Sequence, residues 1–180
     1  KVLSPDLSDG DNVRSVMVES DQAAKLLDYY STYQYASRQH VVTALMWHSM
    51  MRVGAIHAVD LDDYLPEDQC LKVVHRPGTG TPIKNGKDGE RHIALSDLIS
   101  NLLDDWIADQ RPDATDDHGR KPLISTSQGR AHRTTLRRDC YRATRPCIYT
   151  DNCPHDRDID DCEATSYGSE HECPSSVSPH

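Results

Sequence analysis

No phenylalanine occurs in the 180 residues, and apolar residues make up only 36%, so any core must be built from Leu, Val, Ile, Ala, Met, Cys, Tyr and two Trp. No run of about 18 apolar residues exists, which excludes a transmembrane helix from the sequence. No signal peptide is visible, so the cytoplasm is the default compartment. There the six cysteines favour metal ligation or plain thiols over disulfides. The first residue is Lys1, not Met, and the last is His180 after a Ser-Ser-Val-Ser-Pro run. Both ends read as cut, which predicts a piece of a longer protein. The formal charge is −9, from 29 acidic and 20 basic residues. That balance favours solubility and fixes no fold. It resembles the surface of proteins from salt-loving cells, in which DNA-binding proteins can still be acidic overall, so nucleic acid stays open as a partner.

Residues 1–19 are polar and rich in Asp, Ser and Gly, and read as a linker or the edge of a preceding domain. Ser20 and Asp21 offer an N-cap, and Ala23, Ala24, Leu26, Leu27 and Tyr30 predict a helix over about 21–33. A second apolar helix from about Ser37 carries Val41, Val42, Leu45 and Met46 on one side. The short link between the two predicts an αα-hairpin. Arg52 is placed at the end of the second helix, where bulk stops at Gly54, and an acidic turn follows through Asp60 to Asp63. Alone, such an arginine is a solvated C-terminal charge.

From Gln69 the period changes. Residues 70–76 read as a strand, 77–82 and 84–90 as turns, and 91–95 as a second strand, together a hairpin or small meander. Ser96 is the predicted cap of a helix whose apolar face is Leu98, Ile99, Leu102, Leu103, Trp106 and Ile107. After a polar loop, Pro122–Ser125 is a short apolar piece and Gly129 marks a turn, and a last helix is predicted over about 134–144. The stretch 121–145 carries one Lys and six Arg against a single Asp, a local charge of +6. Such a run is most often a solvated helix face. In so acidic a chain, Lys121, Arg130, Arg133, Arg137, Arg138, Arg142 and Arg145 are better explained as a phosphate surface for double-stranded DNA. Ser125, Ser127, Thr134 and Thr135 would add hydroxyl contacts.

Cys147, Cys153, Cys162 and Cys173 follow with spacing C-x5-C-x8-C-x10-C, and His155 and His171 lie nearby. With almost no apolar residues to build a core, the 146–174 segment is a candidate for ordering by a structural zinc. Buried or free thiols in a loop are the alternative, since no tight C-x2-C knuckle is present. Cys70 and Cys140 read as ordinary core residues, and His40, His48, His57 and His75 as surface or hydrogen-bonded histidines.

Taken in order, these pieces resemble the catalytic domain of tyrosine recombinases, the phage-integrase family, and especially its salt-loving archaeal members. The resemblance covers about 21–180. It rests on Met50-Met-Arg-Val-Gly54, on Thr81-Pro-Ile-Lys-Asn-Gly86 running into Gly89-Glu-Arg-His-Ile-Ala-Leu95, and on Ser-Pro-His at the end. The fold it implies is α+β and mainly helical, with a small antiparallel sheet and a Cys-rich insertion. The activity it implies is DNA strand breaking and rejoining through a 3′-phosphotyrosyl link, with neither metal nor ATP. Arg52 would be the first catalytic arginine, Lys84 (or Lys87) the catalytic lysine, and His180 the start of the His-x-x-Arg motif. The second arginine and the nucleophilic tyrosine would lie beyond His180, leaving this piece inactive by itself. Self-association as a tetramer on DNA is implied too. Ala55 stands where the family often has Glu. A non-catalytic, zinc-stabilised DNA-binding module remains the alternative, and a metalloenzyme at the Cys/His cluster a remote third.

Overall fold

A computed structural model describes residues 20–145 and residue 147. Helix α1 spans Ser20–Tyr33 and buries Ala23, Leu26 and Tyr30, whose spacing of three and four puts them on one stripe. Ala24, an expected core residue, faces solvent. Helix α2, Arg38–Ser49, is capped by Ser37, whose hydroxyl accepts from the His40 N–H at 3.2 Å. It buries Val41, Val42, Ala44 and Leu45, and packs against α1 as the predicted hairpin.

The second helix stops earlier than its sequence suggests. Met50 takes a left-handed conformation (φ 52°) and ends α2 at Ser49. A separate short helix, α3, runs over Val53–Ala58. Arg52 is therefore the N-cap of α3, not a C-terminal charge on α2. A 3-10 turn over Leu61–Asp63 leads into a three-stranded antiparallel sheet of β1 (Tyr64–Leu65), β2 (Cys70–Val73) and β3 (Arg91–Ala94), in the order β1-β2-β3. Cys70 pairs with Ala94 and Val73 with Arg91, so residues 74–90 leave and re-enter at the same end of the sheet.

Helix α4, Asp97–Asp105, continues as a single π turn over Trp106–Gln110. Ile99, Leu102, Leu103 and Trp106 are buried as the apolar period requires, and the Trp106 indole N–H donates to the Leu123 carbonyl at 3.0 Å. Leu98 departs from that pattern and is 63% exposed. Ser96 occupies the cap position without a side-chain cap bond. Leu123 and Ile124 are fully buried, and a small ribbon of β4 (Ser125–Thr126) and β5 (Gly129–Arg130) delivers the chain to α5, Arg133–Ala143. Gly129 is required there. Its φ is 115°, and a Cβ would lie 2.8 Å from the Thr115 carbonyl oxygen.

A main core joins most of these elements, and Leu26 and Tyr30 of α1 form a second, smaller cluster with Ala143 of α5. Helix α2 lies at the centre of the main core, with α5, α1 and α4 packed against it and the sheet closing one side. The fold is thus mainly helical with a small antiparallel sheet, as the sequence indicates. No helix among the described residues is long and apolar enough to cross a membrane. Cys140 is a core residue as expected, 3.2 Å from the Met46 sulfur, while Cys70 is half-buried in β2.

Two leucines of α4 separate burial from helix propensity. Leu103→Ala should cost about 2–5 kcal/mol in chemical denaturation. Leu98→Ala should stay within about 0.5 kcal/mol of wild type, because its side chain is already in water.

Candidate active site

An open cleft of about 500 Å³ lies where α2, α3, α5 and the 74–90 connection meet. Its lining includes Arg52, Lys84, Arg91, Arg133 and Arg137 and, among the described residues, no carboxylate, in a chain of net charge −9. The floor is apolar, formed by Met46, Val53, Ala55 and Ile83, with Cys140 and Tyr141 alongside. Burial pushes the Cys140 thiol up to about 12, helped by Asp139, so it stays protonated and unreactive at neutral pH.

Each cation is held by its own local structure. Arg52 is exposed, but Met51 beside it is buried, and the Arg52 carbonyl accepts the Ala55 and Ile56 N–H groups at 2.8 and 3.1 Å. The backbone is thus anchored on both sides while the guanidinium is left in the cleft. Lys84 occupies the corner of a turn closed by the Gly86 N–H on the Ile83 carbonyl at 3.2 Å. Asn85 follows at φ 73°, the positive value a type II turn needs at that place. Gly89 sits against the back of this turn, and a Cβ there would be 2.5 Å from the Lys84 carbonyl oxygen. Lys87 is exposed on the adjoining 3-10 turn and does not line the cleft. Arg133 and Arg137, one helical turn apart on α5, line the same cleft. Arg133 also donates to the Pro82 carbonyl at 2.8 Å, so it ties α5 to the Lys84 loop.

The loop is also tied down along its length. Ile83 is buried, and its N–H donates to His75 Nδ1 at 3.2 Å. Arg76 and Thr81 exchange backbone hydrogen bonds at 3.2 and 3.0 Å.

The basic run of 121–145 separates into groups with different surroundings. Arg133 and Arg137 face the cleft, whereas Arg138 and Arg142 are exposed outside it. Lys121 is exposed and pairs with Asp113 at 3.3 Å. Arg145 is buried. Arg130 is the clearest departure from a phosphate surface, because its side chain is only 9% exposed and is bound within the fold. It pairs with Asp60 and Asp116 and donates to the His57 and Val59 carbonyls at 2.8 and 3.3 Å. Nor do the predicted hydroxyls all serve. Ser125 is buried and donates to the Pro112 carbonyl at 2.7 Å, and the Thr134 hydroxyl is engaged by His132 at 2.7 Å.

Arg130 belongs to a network that the sequence showed only as an acidic turn. The buried Asp60 carboxylate accepts from Arg130 and from Arg120 at 3.2 Å, and forms an ion pair with Arg76 at 3.5 Å. Asp63 takes both arms of Arg76, at 2.6 and 2.8 Å, and also accepts the Asp60 N–H at 2.9 Å. Asp116 completes the set, with Arg120 at 3.1 Å and Arg130 at 2.8 Å. Burial alone would raise the Asp116 carboxyl, but Arg130 and the Arg120 and His118 N–H groups hold it down at about 2. His57 is half-buried next to these arginines, with no protein partner for its Nδ1. Burial first, then Arg133 and Arg130, pulls it to about 4. His40, stacked on Tyr30 at 5.9 Å, falls to about 4 by burial. These two histidines are thus interior groups, not surface ones.

Cys153, Cys162, Cys173 and His180 lie outside the described residues, and Cys147 is buried. Among the described residues no group of three metal-ligating side chains is assembled.

The ion network should be sensitive to loss of one member. Arg130→Ala takes one arginine from Asp60 and Asp116, which keep Arg120, and should cost about 1.5–3 kcal/mol in urea denaturation, whereas Arg138→Ala should change stability by about 0.5 kcal/mol or less. The histidines set an acid dependence. Both stay neutral in the fold down to about 4, while an unfolded histidine protonates near about 6.5. The unfolded chain then binds more protons in that window, so stability rises with pH from about 4 to about 6.5. Denaturation midpoints across that range should vary less in His57→Gln than in wild type.

No protein-family model and no curated protein sequence matches the chain. Solved structures do. The XerA recombinase matches with a TM-score of 0.54 at 16% identity, over 78% of this chain and 44% of that one. The Tn1549 transposon integrase bound to circular intermediate DNA matches with a TM-score of 0.57 at 15% identity, over 76% and 46%. The same integrase with transposon right end DNA gives 0.56 at 16%, over 77% and 47%. The chain spans less than half the length of each. The likeness establishes the fold, and the described residues have that of tyrosine-recombinase catalytic domains.

Proposed function

We propose that the cleft is the phosphate-binding half of a site-specific DNA recombinase active site, working through a covalent 3′-phosphotyrosyl intermediate. The observation that carries this reading is the convergence of Arg52, Lys84, Arg133 and Arg137 on one cleft with no carboxylate among its described residues. They come from three separate places in the sequence, Arg133 and Arg137 sharing α5, within a recombinase-type fold. Double-stranded DNA is the partner that fits a cationic cleft on an otherwise acidic protein. The integrases that share the fold are described in complex with DNA, and assembly as a tetramer on DNA belongs to the same reading.

The chemistry follows from charge. When a tyrosine oxygen attacks the scissile phosphorus, an O–P bond forms and the bond to the 5′-oxygen breaks. Negative charge gathers on the non-bridging oxygens in between, and the planar fork of Arg52 is suited to bind it. Arg133 and Arg137 line the same cleft as Arg52 and can complete the clamp within this chain. Lys84 gives its proton to the departing 5′-oxygen, a general-acid role that suits a lysine on a turn at the cleft edge. Reversal by another strand's 5′-hydroxyl restores the tyrosine and joins the new strand. His180 would act on the same phosphate. The Cys147, Cys153, Cys162 and Cys173 set would hold a structural zinc apart from the chemistry.

The test uses the full-length protein on a labelled duplex containing its target site. Arg52→Ala should lower covalent complex formation by at least about 100-fold, the scale of losing one oxyanion donor. DNA affinity should change by less than about threefold, since the other phosphate contacts remain. Unchanged cleavage would remove Arg52 from the mechanism, and a wild-type protein that binds DNA without cleaving it would favour the non-catalytic DNA-binding module.

A further inference from the structure

We propose that Arg120 is a positioning residue for Lys84, acting through the buried ion network behind the cleft; the inference rests on the recombinase reading above. Arg120 does not line the cleft. Its guanidinium donates to the Thr79 carbonyl at 2.8 Å and to the Thr81 hydroxyl at 3.1 Å, both in the connection that carries Lys84. The same group pairs with Asp60 at 3.2 Å and Asp116 at 3.1 Å. Asp60 lies just beyond α3, whose N-cap is Arg52, and it also binds Arg130, three residues before Arg133. One side chain thus links the loop of the acid to the helix of the phosphate clamp.

Both terminal nitrogens of the fork are engaged, each with two acceptors, while the buried Nε has no partner among the described residues. Thr81 is buried three residues before Lys84, and Ile83 between them is anchored in the core, so a shift at Thr81 is passed along a short, stiff path. Arg76 grips Asp63 from the start of the same connection, and Arg133 fixes Pro82 at the cleft mouth. Arg120 is the contact that joins the middle of the loop to both carboxylates. A lysine there would keep the charge and lose the fork, which matches several acceptors at once only when planar.

Proton donation gives a readout that stability does not. A duplex with sulfur in place of the bridging 5′-oxygen releases a thiolate, which needs no acid to leave. A defect acting through Lys84 is therefore large on the oxygen substrate and small on the sulfur one. With the full-length protein in excess, Arg120→Lys should slow single-turnover cleavage of the oxygen substrate by at least about tenfold, a modest share of a general acid's effect. On the sulfur substrate the loss should be about threefold or less, with the dissociation constant for DNA changed by less than about twofold. Thr81→Val removes one acceptor of the fork, and should show the same oxygen-selective loss on a smaller scale even if Arg120→Lys does not fold. Equal losses on both substrates, or no loss in either variant, would overturn the assignment. A wild-type protein that cleaves neither substrate would instead remove the recombinase reading itself.

Discussion

Three arginines converge on one buried carboxylate, Asp60, and the arrangement of the cleft depends on that convergence. A carboxylate taken out of water is costly unless its lone pairs are met, and here they are met by groups from three different segments. Arg76 brings the start of the β2–β3 connection, Arg120 the loop before Pro122, and Arg130 the strand that feeds α5. Satisfying Asp60 therefore fixes where these segments stand relative to α3. The network contributes specificity of arrangement more than net stability. The cleft in front of it inherits its walls from the same segments.

The two layers divide the labour among the charges. Behind the cleft, every arginine has carboxylate partners, and the charge is neutralised in place. At the cleft itself the described residues of the lining include cations and no acid, so their field is available to an external anion. An acidic chain can in this way present a cationic site without being basic overall. The sulfur and aliphatic groups of the floor add no competing hydrogen-bond acceptors, which leaves the guanidinium and ammonium donors for a phosphate.

Much of this was legible in the sequence, and the failures have physical causes. Helices α1 and α4 were marked by apolar period and cap residues, and α1 and α5 lie within a residue of the bounds expected. Arg52 and Lys84 were singled out through their motif contexts, and the structure places both on one cleft. The end of α2 was not legible, because a left-handed Met50 is a tertiary outcome that no residue preference announces. The basic run was read as one surface, although a helix turns its residues to different sides. Only Arg133 and Arg137, at a spacing of four, share the cleft, while Arg130 precedes the helix and points into the fold. Arg91 was noticed only as part of a strand motif. Its arrival beside Arg52 follows from the β2–β3 register, which pairs it with Val73 and which the sequence does not state. The Asp60–Arg120–Arg130 network joins residues far apart in the chain, and no local pattern encodes it.

The central claim is that a DNA phosphate binds between Arg52 and the α5 arginines. A crystal structure of the protein on its target duplex tests this most directly. The account predicts a backbone phosphate in the cleft, within hydrogen-bond distance of the Arg52 guanidinium and of Arg133 or Arg137, with the Lys84 ammonium facing the 5′-oxygen. A duplex lying instead along Arg138 and Arg142, with the cleft empty of phosphate, would contradict it.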